Sequence, residues 1–214
     1  MAPQDKFTDI LWLEEADSTN SELRRRLDSA DNLSIISARS QTKGRGQGDH
    51  SWFSSPRTNL TFSILFRFPA AEGEPFAVRA GEEALLITCV TTLALRDYLL
   101  ERGITARIKW PNDIWVGERK ICGILIENIL EGSFVRESIV GIGLDVNEEN
   151  WPDNLPNPVS MKQLTGVHYN LDAELVALRE QLCSRFETLG TLQGRSALLE
   201  EFNRYMFRLP EGQR

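Results

Sequence analysis

The stretch from Arg107 to Val146 constrains the fold more than any other. Short runs rich in Ile, Val and Leu follow one another there, cut by Gly117-Glu118 and by Glu131-Gly132-Ser133. Both interruptions have hairpin composition, with a glycine able to supply the positive φ that tight turns demand. Strands joined by tight turns must run antiparallel. Residues 107–110, 114–116, 120–129 and 138–146 are therefore expected to be sheet strands, and 33–38 and 60–68 alternate well enough to join them. Apolar periodicity predicts a long amphipathic helix over 78–101 and two more over 172–188 and 196–206. A shorter helix is expected to begin near Thr19, where Thr19 and Glu22 stand at capping-box spacing ahead of Leu23 and Leu27. Pro152, Pro156 and Pro158 break regular structure between the sheet and the last helices. The expected fold class is α+β: a mixed, largely antiparallel sheet covered by helices.

Composition narrows the function. A chain of 214 residues that is 41% hydrophobic has material for a substantial core. Its net charge of −7 argues against general nucleic-acid binding, and Arg24-Arg25-Arg26 reads as a solvated helix face. Three cysteines, Cys89, Cys122 and Cys183, are widely spaced among apolar neighbours. Disulfides are not expected, and a reducing, cytoplasmic setting fits. No basic start leads into an apolar leader, and no apolar run is long enough for a bilayer, so no membrane partner is expected. His50 and His168 are the only histidines, which leaves little for a His-based metal site or a Ser–His–Asp triad.

Three segments carry chemistry. In Gln41-Thr42-Lys43-Gly44-Arg45-Gly46-Gln47-Gly48 the alternating glycines let backbone N–H groups approach an anion, and Lys43 and Arg45 add charge. A flexible surface loop has the same composition, and neither a Walker A loop nor a Rossmann fingerprint is present. Lys109-Trp110-Pro111-Asn112-Asp113 holds a lysine at the end of an apolar strand before a stiff turn. That arrangement suits an ammonium held in a cleft, beside the plainer reading of a turn with an incidental lysine. Lys120 then enters a run of apolar residues ending at Gly123, which by itself describes many strand-edge lysines.

Taken in order, these segments resemble the biotin–protein ligase family, together with Ser18-Thr19-Asn20, Trp52 before Ser54, Asn59-Leu60, and Gly141-Ile142-Gly143 through Asn147. The resemblance runs from residue 18 to 147. It implies the biotin/lipoate ligase catalytic-domain fold, similar to class II aminoacyl-tRNA synthetases. It also implies activation of biotin with ATP to biotinyl-5'-AMP, then transfer to a lysine of a biotin carboxyl carrier protein. On that resemblance the catalytic residues are Arg45, Lys109, Lys120 and Asp113. Biotin would meet Ser18, Thr19, Asn20, Gln41, Arg45, Gly46, Gln47, Lys120 and Gly123. The nucleotide would meet Gly44, Arg45, Trp52, Lys109, Asn112 and Asn147. Mg²⁺ is implied by the triphosphate, with no protein metal site.

The sequence departs from the family pattern at Gln47, where some members have a second arginine, at Gly48-Asp49-His50, and at Asp145, a position often filled by Asn. Alternative readings are lipoate or octanoate ligation or transfer on the same fold, a biotin-sensing repressor, and a non-catalytic biotin-binding protein. The first is disfavoured by the absence of a Gly-Gly-rich, His-containing motif. The second would need a helix-turn-helix ahead of residue 18, and the third does not explain why both Lys109 and Lys120 are kept. Residues 1–206 are expected to be the catalytic domain, and 207–214 the remnant or start of an otherwise absent SH3-like barrel, in a monomer or homodimer.

Overall fold

The computed structural model describes residues 9–208. Its single sheet has nine strands: β1 (Ile10–Leu13), β2 (Ile35–Ala38), β3 (Leu60–Arg67), β4 (Val78–Arg79), β5 (Arg107–Lys109), β6 (Asp113–Val116), β7 (Arg119–Glu131), β8 (Phe134–Leu144) and β9 (Met206–Phe207). The spatial order is β1-β2-β3-β8-β7-β6-β5-β9, with β4 paired to β8. The pairings are antiparallel except β1 with β2 and β5 with β9, at the two edges. The mixed, largely antiparallel sheet is as expected. The two parallel edge pairs were not, because β1 and β9 are too short to announce themselves.

The helices are α1 (Thr19–Arg25), α2 (Leu85–Glu101), α3 (Met161–Thr165), α4 (Leu171–Glu187) and α5 (Leu192–Tyr205). Alternation along the strands gives the sheet two unlike faces. Phe62, Ile64, Phe66, Val140, Ile142 and Leu144 point to one, where they are buried in the main core with residues of α2, α4 and α5. A hydrogen bond and ion pairs lock these helices together. The Tyr98 hydroxyl donates to Glu174 at 2.6 Å, and Arg185 bridges Glu201 at 2.6 Å and Asp97 at 2.5 Å. The opposite face is only half covered. There Leu23 of α1 packs on Ile36, Leu65 and Ile139, and the rest of that face is left for the site.

Two expectations need correction. The helix expected over 78–101 begins at Leu85: Val78 and Arg79 pair with β8, and Gly81 takes φ of 91°, a left-handed conformation that no helix can run through. Thr19 and Glu22 form no capping box. Ser18 is the N-cap without a side-chain bond, and Glu22 turns to Arg25 and Arg26 instead. The short α3 was missed, although its cap is a true box: Ser160 and Gln163 bond each other's backbone N–H. The sheet also continues across the 206/207 boundary, since Met206 and Phe207 pair with Ile108 and Lys109. Residues 209–214 lie outside the described residues.

Candidate active site

Register explains how distant motifs meet. Ala38 pairs with Thr61, Thr61 with Gly143, Gly143 with Gly123, Gly123 with Asp113 and Asp113 with Lys109. Cross-strand partners share a face, so these residues form one row on the half-open side of the sheet. At its centre are two glycines. A Cβ on Gly143 would lie 2.3 Å from Trp52 Cε2, and one on Gly123 2.6 Å from Trp52 Cζ3. The missing side chains leave a slot in which the Trp52 indole lies flat on the sheet, its Nε1 buried without a hydrogen-bond partner. One row on, a Cβ at Gly141 would meet Asn20 Oδ1 at 2.3 Å. Above this floor is a cavity of about 750 Å³.

One end of the cavity is neutral and closely bonded. Ser18, Thr19 and Asn20 are buried at the start of α1. The Thr19 backbone N–H donates to Gln41 Oε1 at 2.9 Å, which commits the oxygen of that amide and leaves its N–H groups to donate. Ser63 Oγ lies 2.8 Å from Thr19 Oγ1 and 2.6 Å from Asn20 Oδ1. Asn20 Nδ2 donates to Glu127 at 2.8 Å and to the Leu125 carbonyl at 3.3 Å.

The other end is cationic. The register of β6 with β7 shifts between Ile114 and Trp115, so that Trp115 pairs with Lys120. This irregularity brings Lys120 to the site face, where its Nζ is 2.8 Å from Asp113 Oδ1 and 5.5 Å from the Trp52 ring. Lys109 Nζ lies 4.7 Å from the Trp115 ring. Asn112 Nδ2 donates to the Ile124 carbonyl at 2.5 Å and ties the Pro-Asn-Asp turn to β7. The Gly-Arg-Gly loop folds back on itself: Gly46 N–H donates to His50 O at 2.7 Å and Trp52 N–H to Gly44 O at 3.0 Å. It walls the main cavity from a second one of about 530 Å³, beside which Arg45 bonds Glu127 at 2.6 Å.

The cavity thus brings together Arg45, Lys109, Lys120 and Asp113 with Ser18, Thr19, Asn20, Gln41, Gly46, Gln47 and Gly123, as well as Trp52 and Asn112. Gly44 lines the second cavity instead. Asn147 is not at the cavity wall, and its amide bonds the Tyr169 backbone in both directions, each at 2.9 Å. Sequence reasoning missed Ser63, Trp115, Leu125 and Glu127. For Glu127 a signal existed, since strict alternation from Gly123 carries the site face to residues 125 and 127.

Three carboxylates support the site. Burial raises Glu127, but hydrogen bonds from Arg45 and Asn20 prevail and hold it below the usual carboxylate range. Glu148 is likewise opposed by burial, yet bonds from the Ser55 N–H and the Thr58 hydroxyl keep it low, so it fastens residues 55–59 to the end of β8. Asp145 is the opposite case. Buried, and with no hydrogen-bond partner for Oδ1, it is pushed well above its ordinary value by desolvation, with Lys120 only partly offsetting this. Burial also raises Cys122, and takes Cys89 up to about 12, so both are packing residues. Among the described residues no group of three His, Cys, Asp or Glu is arranged to hold a metal, and no helix is long and apolar enough to cross a membrane.

Residues 12–145 match the family model described as the biotin/lipoate A/B protein ligase family. The biotin--[acetyl-CoA-carboxylase] ligase of Paracoccus denitrificans is 34% identical over 163 residues, covering 72% of this chain and 63% of that protein. The bifunctional ligase/repressor BirA of Bacillus subtilis is 30% identical over 135 residues, or 62% of this chain. The chain spans only 39% of that relative's length. Among solved structures, the biotin protein ligase of Aquifex aeolicus in complex with biotin and ATP superposes with a TM-score of 0.77 at 25% identity, over 94% of this chain and 79% of that one.

Proposed function

The chain belongs to the biotin/lipoate A/B protein ligase family, and we propose that it activates biotin with ATP and passes the biotinyl group to a lysine of a biotin carboxyl carrier protein. The observation that carries this reading is the two-ended cavity. Its neutral end offers hydrogen-bond donors and acceptors on buried Thr19 and Asn20 and half-buried Gln41, suited to an uncharged ureido ring. Its cationic end carries Lys109 and Lys120, and Arg45 adds a third cation to the cavity wall beside Glu127, a set suited to a carboxylate meeting a phosphate. A lipoyl or octanoyl chain has no N–H or C=O to use at the neutral end, which would leave buried polar groups unmatched.

In the first step a biotin carboxylate oxygen attacks the α-phosphorus, the bond to the bridging oxygen breaks, and pyrophosphate leaves with the electron pair. Negative charge grows on the phosphoryl oxygens, and Lys109, Lys120 and Arg45 oppose it. In the second step the carrier's neutral amine attacks the mixed anhydride carbonyl, and AMP leaves. Asp113, a cavity-lining carboxylate already bonded to Lys120, would receive the amine's proton. The Gly-Arg-Gly loop and Trp52 would keep water from the anhydride. Mg²⁺, expected with the triphosphate, finds no ready-made cluster of acidic ligands among the described residues, so no step is assigned to a protein-held metal.

The test is biotin-dependent exchange of labelled pyrophosphate into ATP, with lipoate and octanoate as controls. Exchange with biotin is the expected result, and exchange with lipoate but none with biotin overturns the reading.

A further inference from the structure

Glu127 lies outside the motifs, yet it ends a chain of hydrogen bonds that reaches the cavity. A carboxylate only accepts. Glu127 Oε2 takes Asn20 Nδ2–H at 2.8 Å, and the Leu125 carbonyl, also acceptor-only, takes the same amide nitrogen at 3.3 Å. The Asn20 side chain is thereby oriented, and its Oδ1 must accept from Ser63 Oγ at 2.6 Å. Ser63 has one proton and has used it, so the 2.8 Å contact with Thr19 is a bond that Thr19 donates. Thr19 then has no proton left and can only accept from a ligand. Gln41, whose oxygen already accepts from the Thr19 backbone N–H, presents its side-chain N–H groups as donors.

We infer that Glu127 is a positioning residue that sets the hydrogen-bond polarity of the cavity through Asn20 and Ser63, making Thr19 an acceptor that selects a ligand N–H beside a carbonyl. The inference rests on the biotin reading and deepens it, since a cyclic urea presents that pair of groups. The same carboxylate holds Arg45 at 2.6 Å and faces Arg24 at 3.8 Å. One negative charge therefore orders the neutral end of the cavity and steadies the arginine of the glycine-rich loop beside it.

The experiment measures the ratio of dissociation constants for biotin and for the two cyclic carbamate analogues in which one ureido N–H is replaced by oxygen. Wild-type protein, Ser63→Ala and Glu127→Ala are compared by calorimetry. Wild type should prefer biotin by about tenfold or more over at least one analogue, because the ring oxygen would face an acceptor. Ser63→Ala cuts the chain while keeping Glu127 and Arg45 paired, so Thr19 regains a free proton and the preference should fall to about threefold or less. Glu127→Ala should reduce it as well, leaving only the longer Leu125 contact to orient Asn20. Should Glu127→Ala not fold, Glu127→Met replaces it, since it fills the same space without an acceptor and should weaken the preference in the same way. Collapse in Ser63→Ala with full preference in the folded Glu127 variant would show the polarity to be set by the Leu125 carbonyl, overturning the inference. So would undiminished preference in both variants, or no wild-type preference. A wild-type protein that binds neither biotin nor analogue overturns the functional reading itself.

Discussion

Replacing Lys120 with alanine separates what this side chain does for the fold from what it does for the reaction. Its ammonium is 2.8 Å from Asp113, with the two side chains 32% and 22% exposed. A partly solvated pair of this kind contributes about 1 kcal/mol or less to stability, which in a domain of this size lowers Tm by at most about 4 °C. Its effect on a reacting phosphate is larger. Lys120 Nζ is only 3.2 Å from where a Cβ on Gly123 would be, so it hangs directly over the cavity floor. A full charge at about 4 Å with an effective dielectric of about 20 interacts by roughly 4 kcal/mol. Only the charge gained between ground and transition state accelerates the step, and losing one such group typically removes about 2.7–4 kcal/mol. The expected outcome for Lys120→Ala is adenylation slowed about a hundred- to thousand-fold with near-normal thermal unfolding. Lys120→Arg should recover part of the rate. The assay is single-turnover formation of biotinyl-adenylate at saturating biotin and ATP, with unfolding followed alongside. An alanine variant within about threefold of wild type, less than 1 kcal/mol of transition-state stabilisation, would refute the argument.

Gly143→Ala should destabilise the fold by about 1–3 kcal/mol through overpacking and weaken biotin binding, because its Cβ forces the Trp52 indole off the floor; urea unfolding and calorimetry measure both, and unchanged affinity would mean that Trp52 is no part of the cavity. Asp145→Asn should stabilise the protein by about 1–3 kcal/mol near neutral pH. The sign follows from burial: the folded-state value lies above the ordinary 3.8, so the native state binds the extra proton, and wild-type stability falls as pH rises from near 3.8 through the raised value. The advantage of the asparagine variant should vanish at acid pH, and a pH-independent difference in urea midpoints would contradict this. Residues 42–51 should gain amide-exchange protection when biotin is added, since glycine-rich sequence and a few cross-loop bonds hold them without ligand; equal protection in both states would rule out ordering of the loop.

Much of this protein was legible before folding was considered. Hairpin turns at Gly117 and Gly132 fix which strands are neighbours, because a tight turn leaves the next strand nowhere else to pair, and both turns form with those glycines at φ of 59°. Lys109 and Asp113 end up paired because a short turn between two strands forces it. The Gly-Arg-Gly loop and the Lys-Trp-Pro-Asn-Asp segment, read together, pointed to the family and to many of the cavity residues. Local sequence carries such information wherever a turn or a motif determines its own surroundings.

What tertiary structure alone decided are the facts that depend on distant partners. The row from Ala38 to Lys109 needs the registers of several separate pairings, and a slip of one residue in any of them would turn its side chains into the core. The reach of Lys120 to the site depends on a register shift opposite Trp115 that no residue type announces. Asn147 looked free for a nucleotide until α4's approach segment brought the Tyr169 backbone against its amide. Thr19 looked like a helix cap, and became part of a relay only because β3 places Ser63 beside it. Hydrogen-bond polarity is decided by every group along a chain of contacts. Its terminus, Glu127, is 107 residues from the asparagine it orients, and a separation of that kind is closed only by the folded sheet.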